Sequence, residues 1–247
     1  MTTRSDGRQP EELRPLRVTR NYTKHTAGSV LMEYGGTWVL VTASVEERVP
    51  RHVYQMEGND NGWLTAEYAM LPGATNTRSN RERLKVSGRT SEIQRLIGRS
   101  LRASIDLSKL GERTITIDAD VIQADGGTRV AAITGGFIAL MDAMTKLKED
   151  GLLKEIPLIS PVAAVSVGVV NGQPLLDLNY EEDSGAAVDA NIVMNKHGHF
   201  IELQMTSEKQ AVDRKTLDQM LVLGENGARR LIEFQESILG LNQEILA

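Results

Sequence analysis

Residues 113–136 read "RTITIDADVIQADGGTRVAAITGG", and no other stretch so narrows the folds open to the chain. Its first part alternates and is rich in β-branched side chains, which predicts a strand over 113–124. Two adjacent glycines follow. A helical pattern then runs from Thr128 to about Glu149, with Val130, Ile133, Phe137, Leu140, Met141 and Met144 as its apolar stripe. Glycine costs conformational entropy and packs nothing, so a pair at a strand-to-helix junction means that the backbone there passes close to something. Gly135 and Gly136, inside the helix, predict close packing against another element.

Strands and helices alternate along the rest of the chain. Strands over 29–34 and 37–45 flank a hairpin turn at Gly35-Gly36. Another, over 63–71, is ended by Pro72-Gly73. Residues 90–107 carry Ile93, Leu96, Ile97 and Leu101 at helical spacing, with Thr90 or Ser91 as the expected cap. Strands over 161–170 and 173–179 are joined by Asn171-Gly172, a strong type I′ signal. Strands over 191–195 and 199–205 turn at Lys196–Gly198, and an amphipathic helix runs near 213–240. The expectation is one α+β or α/β domain over residues 1–247, built from two similar strand-helix halves. Residues 46–62 and 72–88 read as long loops, which at that length are usually functional.

Composition removes several chemistries. The chain has no cysteine, so disulfides, thiolate metal sites and a cysteine nucleophile are excluded. His197 and His199 share a tight turn but are too few for a zinc site. The opening is polar, and no uninterrupted apolar run approaches the roughly 18 residues of a membrane span, so a cytoplasmic protein without membrane partners is expected. A net charge of −5 argues weakly against a nucleic-acid binder, and no DNA partner is expected, yet the charge is unevenly placed. Gly73 to Arg102 holds eight Lys/Arg against two Glu, and Asp177 to Asp189 holds five acids and no base. Such segments hold a polyanion and a divalent cation, or are two solvated faces.

A strand ending at Gly126-Gly127 leaves the amides of the next helix unpaired at the positive end of its dipole. The Thr128 hydroxyl can donate to an anion there, and Arg129 can grip phosphate with two parallel hydrogen bonds. A helix start that only needs a tight turn has the same residues. Ser87-Gly88-Arg89-Thr90 is a second such turn, either converging on the same anion or merely exposing an arginine beside a capping threonine.

The segments "SGRTSEIQRLIGRSLRA", "LGERTITIDADVIQADGGTR" and "LLDLNYEEDSGAAVD", with "DGR…LRP" near the start, resemble the ribonuclease PH family of phosphate-dependent 3′-exoribonucleases. The resemblance runs from Asp6 to the final helix and implies a ribonuclease PH-like fold (ribosomal protein S5 domain 2-like). It implies inorganic phosphate held by Arg89, Gly127, Thr128 and Arg129, and phosphorolysis that releases nucleoside 5′-diphosphates. The reverse reaction adds nucleotides. It implies Asp183 and Asp189 as ligands of Mg²⁺ or Mn²⁺ or as catalytic acid. Transfer-RNA precursors are the implied substrate, and a hexameric ring, a trimer of dimers, the implied assembly. Arg78 and Arg81 match arginines of the family's RNA-binding loop, and with Arg95 and Arg99 they are the expected RNA contacts. Departures from the family pattern are Gly73 in place of an arginine, a neutral-to-acidic "MEGNDNGW", Met205 in place of a glycine and Ala119 in place of a cysteine. The alternative is an inactive RNA-binding ring subunit; such subunits tend to lose the phosphate arginines or the aspartates, and this chain keeps both.

Overall fold

The computed structural model describes residues 4–51, 53, 61–82, 85–209 and 211–241. Most of the expected 56–63 departure, and Arg83 of the basic segment, lie outside them. The first half comprises β1 (Leu16–Arg20), β2 (Gly28–Tyr34), β3 (Thr37–Glu46), β4 (Trp63–Met70), α1 (Gly88–Arg102), β5 (Thr114–Gln123) and α2 (Thr128–Glu149). The second comprises β6 (Val162–Val170), β7 (Gln173–Leu176), α3 (Tyr180–Gly185), β8 (Val188–Asn195), β9 (Phe200–Ser207) and α4 (Arg214–Leu239). One sheet has the order β1-β2-β3-β5-β4, antiparallel except for the β4–β5 pair; the other has the order β7-β6-β8-β9, all antiparallel.

Helix α2 lies between the two sheets, against β2 and β3 on one side and β6 on the other. Seventeen of its 22 residues are buried, so the expected stripe is in fact a helix covered on nearly every face. By length and composition it could cross a membrane, but 89% of its most apolar window is buried inside the protein, which makes it a core helix. Gly135 provides the predicted close approach: a Cβ there would lie 2.9 Å from the Cβ of Met32 in β2. One continuous core runs through both halves, from Val30 and Ile117 to Val165, Ile192 and Leu231.

Four local readings change. Strand β1 is an addition to the expected elements; it is a short edge strand with mostly exposed residues and little apolar signal. Helix α1 starts earlier than expected because Ser87, rather than Thr90 or Ser91, is the cap, and it ends at Arg102 with Ala103 as its C-cap. A 3₁₀ turn at Leu107–Lys109 follows it. Strand β7 ends at Leu176, and the acidic stretch after it folds into α3 through an Asn179/Glu182 capping box. Strand β8 begins at Val188, which puts Asp189 on a strand. The Asn171-Gly172 turn has φ of 51° and 77°, as a type I′ hairpin requires.

Candidate active site

Gly126 and Gly127 both sit at positive φ, 73° and 65°. A Cβ on Gly126 would lie 2.6 Å from the Leu178 carbonyl oxygen and 2.9 Å from the Tyr180 nitrogen. The backbone therefore passes close to the protein itself, at the segment that opens α3. The Asp125 carboxylate accepts from the Tyr180 N–H at 3.2 Å, and the Thr37 hydroxyl donates to the Gly126 carbonyl at 2.6 Å. The glycine pair thus joins the two halves of the molecule.

The same turn leaves a helix end open. Ser87 caps α1 through the Thr90 N–H, Asn179 caps α3 through Glu182, and Asp213 caps α4 through Thr216. Gly127 is the N-cap of α2 and brings no side-chain hydrogen bond. Among the described helices, α2 alone keeps its first-turn donors without a side-chain cap, at the positive end of a 22-residue helix. Free amides at a positive helix end are the arrangement that suits an anion.

Arg129, at the second position of α2, is steadied from two other elements. Its Nη1 donates to Glu92 of α1 and to Gln204 of β9, each at 3.2 Å. Gln204 in turn donates to Glu92 at 2.9 Å. The Thr128 hydroxyl, expected to face the anion, is buried and lies 2.8 Å from the Tyr68 hydroxyl of β4. With Tyr68 as donor, Thr128 keeps its own proton for an anion. Arg89 is exposed, its Nη1 3.8 Å from the Met70 sulfur.

The acidic residues lie in the same electrostatic field. Partial desolvation, then the neighbouring Asp189, raises the Asp183 carboxyl above the usual range, and Arg129 and Arg89 pull it back. Partial desolvation, then Glu208, raises Asp189, and Arg129 again opposes. Arg129 therefore acts on both carboxylates and Arg89 on Asp183. Among the described residues no group of three or more His, Asp or Glu forms a ready metal cage. Two crowded carboxylates without a third ligand fit Mg²⁺ or Mn²⁺, which take one or two protein carboxylates and complete the shell with water and phosphate oxygens.

The expected RNA contacts are dispersed. Arg95 is exposed on α1. Arg99, one turn on, pairs with Glu202 of β9 at 2.5 Å. Arg78 lies 3.4 Å from Asn80 within its own loop, and the charge of Arg81 acts on Asp120 of β5. Arg102, which shares the basic helix, stacks 4.8 Å from the Trp63 ring.

Sequence reasoning misses Glu92, Gln204, Tyr68 and Glu208, whose partners lie far away in the chain. It reads "DGR…LRP" as a mark of resemblance without giving Arg8 or Arg14 a role.

The sequence profile described as "3′ exoribonuclease family, domain 1" matches residues 12–146, and that of "domain 2" matches residues 160–227. The chain belongs to the 3′ exoribonuclease family. It is 55% identical over 241 residues to the Ribonuclease PH of Corynebacterium efficiens, covering 97% of each chain. It is 56% identical over 236 residues to that of Acaryochloris marina, covering 96% of this chain and 98% of the relative. Among solved structures, "archaeoglobus fulgidus exosome with RNA bound to the active site" superposes with a TM-score of 0.80 at 24% identity, covering 94% of this chain and 92% of that one. Rice Rrp46 gives a TM-score of 0.77 at 21% identity, covering 96% of this chain and all of that one. The fold is thus the ribonuclease PH-like α/β fold. The family divides this chain between its two domains, whereas the buried core runs through both.

Proposed function

We propose that the chain is a phosphorolytic 3′→5′ exoribonuclease, a nucleotidyltransferase that trims the 3′ ends of transfer-RNA precursors. An oxygen of inorganic phosphate attacks the phosphorus of the terminal phosphodiester. The bond from that phosphorus to the 3′-oxygen of the preceding nucleotide breaks. The 3′-oxygen takes a proton, and a nucleoside 5′-diphosphate leaves. Run backwards, the same step adds a nucleotide from a diphosphate.

The observation that carries this reading is the packing of the turn that opens the uncapped α2 against the segment that opens α3, so that the charge of Arg129 acts on Asp183 and Asp189 from the other half of the chain. The α2 amides, Thr128, Arg129 and Arg89 hold and orient the phosphate, where fixed donors lower the barrier by positioning and by stabilising charge. Asp183 and Asp189 would hold Mg²⁺ or Mn²⁺, which would supply positive charge beside the scissile phosphate and the leaving oxygen. Arg78, Arg81, Arg95 and Arg99 guide the RNA strand. The retained arginines and aspartates favour an enzyme over an inactive ring subunit. The assembly is a ring, which we take to be a hexamer built as a trimer of dimers, acting in the cytoplasm.

The test is incubation with labelled RNA and Mg²⁺, with and without inorganic phosphate. Nucleoside diphosphates released only with phosphate are the expected result. Monophosphates released without phosphate mean hydrolysis and overturn the reading.

A further inference from the structure

The largest set of buried charges outside the reacting groups lies where the N-terminal arm crosses the junction of the two halves. Asp177 is fully buried and holds a left-handed backbone at φ 53°. Its carboxylate accepts from the Arg14 backbone N–H at 2.7 Å, from Nη2 at 2.7 Å and from Nε at 3.1 Å. The other edge of the same guanidinium reaches the glycine turn. Nη1 donates to the Asp125 carbonyl at 2.5 Å, and the Gly126 carbonyl lies 3.5 Å from Nη1 and from Nη2. A Cβ on Gly127 would lie 3.0 Å from Nη2.

One rigid planar group therefore touches both segments that deliver the reacting groups. On one side the turn continues directly into Thr128 and Arg129. On the other, Asp177 leads into α3 and to Asp183 six residues later. Arg4 braces α3 from the same arm: its Nε and Nη2 grip the two oxygens of Glu182 at 2.7 and 2.8 Å, and its Nη1 donates to the Leu176 carbonyl at 2.9 Å. Arg4 makes none of these contacts to the glycine turn; of the described arginines of the arm, Arg14 is the one whose bonds reach both Asp177 and that turn, beside the direct bond from the Tyr180 N–H to Asp125.

We infer that Arg14, oriented by Asp177, is a positioning residue that sets the phosphate turn against the acidic helix. This rests on the phosphorolytic reading. A lysine keeps the charge but lacks the fork that reaches a carboxylate and a carbonyl at once. Small misplacement of reacting groups lowers rates by large factors, so the consequence should appear in how phosphate is held.

The experiment compares the wild type with Arg14→Lys, Asp177→Asn and Arg20→Met. Arg20 forms a half-buried ion pair with Asp142 in the middle of α2, away from the turn, and serves as the control for loss of stability alone. Two quantities are read: KM for phosphate in phosphorolysis, and the rise in Tm that inorganic phosphate produces without RNA. Neither depends on the fraction of active protein. Arg14→Lys and Asp177→Asn should each raise KM for phosphate by roughly tenfold to a hundredfold and shrink the phosphate-induced rise in Tm, with RNA affinity unchanged. Arg20→Met should lower Tm and leave KM alone. If Asp177→Asn does not fold, Arg14→Lys carries the same test. A loss of kcat with KM and the phosphate-induced rise near wild-type values would mean that Arg14 only stabilises the fold, and would overturn the inference alone. A wild type indifferent to phosphate would overturn the phosphorolytic reading and this one with it.

Discussion

Two arginine-bearing turns open the helices that face the proposed phosphate, and the protein builds them by different means. The Gly126-Gly127 turn is shaped by packing: both glycines are left-handed, the 178–180 backbone presses on Gly126, and Arg129 is held by Glu92 and Gln204. The Ser87-Gly88 turn is shaped locally. Ser87 caps α1, Glu82 accepts from the Ser87 N–H at 3.2 Å and from the Thr90 hydroxyl at 3.0 Å, and a Cβ on Gly88 would meet nothing within 4 Å. One turn is preorganised, so its donors need no rearrangement as charge develops. The other carries an exposed arginine on a soft mount, suited to a substrate whose end moves by one nucleotide per cycle.

The sharpest way to break this contrast is to put the same methyl group on each turn. Gly126→Ala combines a φ of 73° with a contact of 2.6 Å to backbone. It should destabilise the fold by about 2–5 kcal/mol, read from the denaturant midpoint. Gly88→Ala should stay within about 0.5 kcal/mol of wild type. Equal losses would show that the two turns are not built differently.

The next test concerns the arginines themselves. Arg129→Ala removes a fixed donor and should lower kcat/KM for phosphate by about 10²–10³-fold. Arg89→Ala should cost less, about tenfold at most, because an exposed guanidinium is screened by solvent. RNA retention should survive both changes. The reverse order of effects would mean that the exposed turn dominates phosphate binding.

The same contrast explains what the sequence discloses. Periodicity and turn chemistry act over a few residues, so the strands, the Asn171-Gly172 hairpin, and the glycine-to-helix junction at 126–128 can be read directly. The reason for the glycine pair cannot, because the backbone that presses on it belongs to residues 178–180. Arg14 and Asp177 lie 163 positions apart and Arg129 and Gln204 lie 75 apart, separations that no local pattern encodes. Asp183 and Asp189 come from family resemblance, since an acidic run of ordinary composition looks like any solvated loop. Helix α3 goes unread in the sequence because its Asn179/Glu182 capping box lies at the end of the expected 173–179 strand and inside that acidic run.

The acidic pair separates the turns in a further way, because Arg129 acts on both carboxylates while Arg89 acts on Asp183. Their folded pKa values lie above the ordinary aspartate range. The folded state therefore binds protons more readily than the unfolded one, and the stabilisation of the protonated pair is lost as pH rises through those raised values. At neutral pH the ionised pair strains the fold. Asp189→Asn should raise Tm in the absence of metal by about a degree or two, kept small by solvent screening, while lowering activity. Mg²⁺ should raise the Tm of the wild type and leave Asp189→Asn unmoved; EDTA should reverse the wild-type gain. Mg²⁺ affinity, read from the metal-induced rise in Tm, should weaken on acidification at a higher pH than unperturbed aspartates would give, because the protons compete with the ion for the metal-free pair. An unchanged Tm in Asp189→Asn would mean that the two carboxylates do not repel.

The smallest expected effect tests the soft side alone. Gly73 opens the loop that leads to the Ser87-Gly88 turn, has ordinary backbone angles, and leaves open space within 4 Å of where a Cβ would stand. Gly73 is exposed and a Cβ there has no neighbour within 4 Å, so Gly73→Arg should leave stability within about 0.5 kcal/mol of wild type. One added phosphate contact on single-stranded RNA should steepen the dependence of log affinity on log salt by about 0.7. KM for phosphate should not change if, as proposed, the loop contacts RNA and the packed turn holds the anion. A shift in phosphate KM without a change in salt slope would tie this loop to the anion site and erase the division of labour between the two turns.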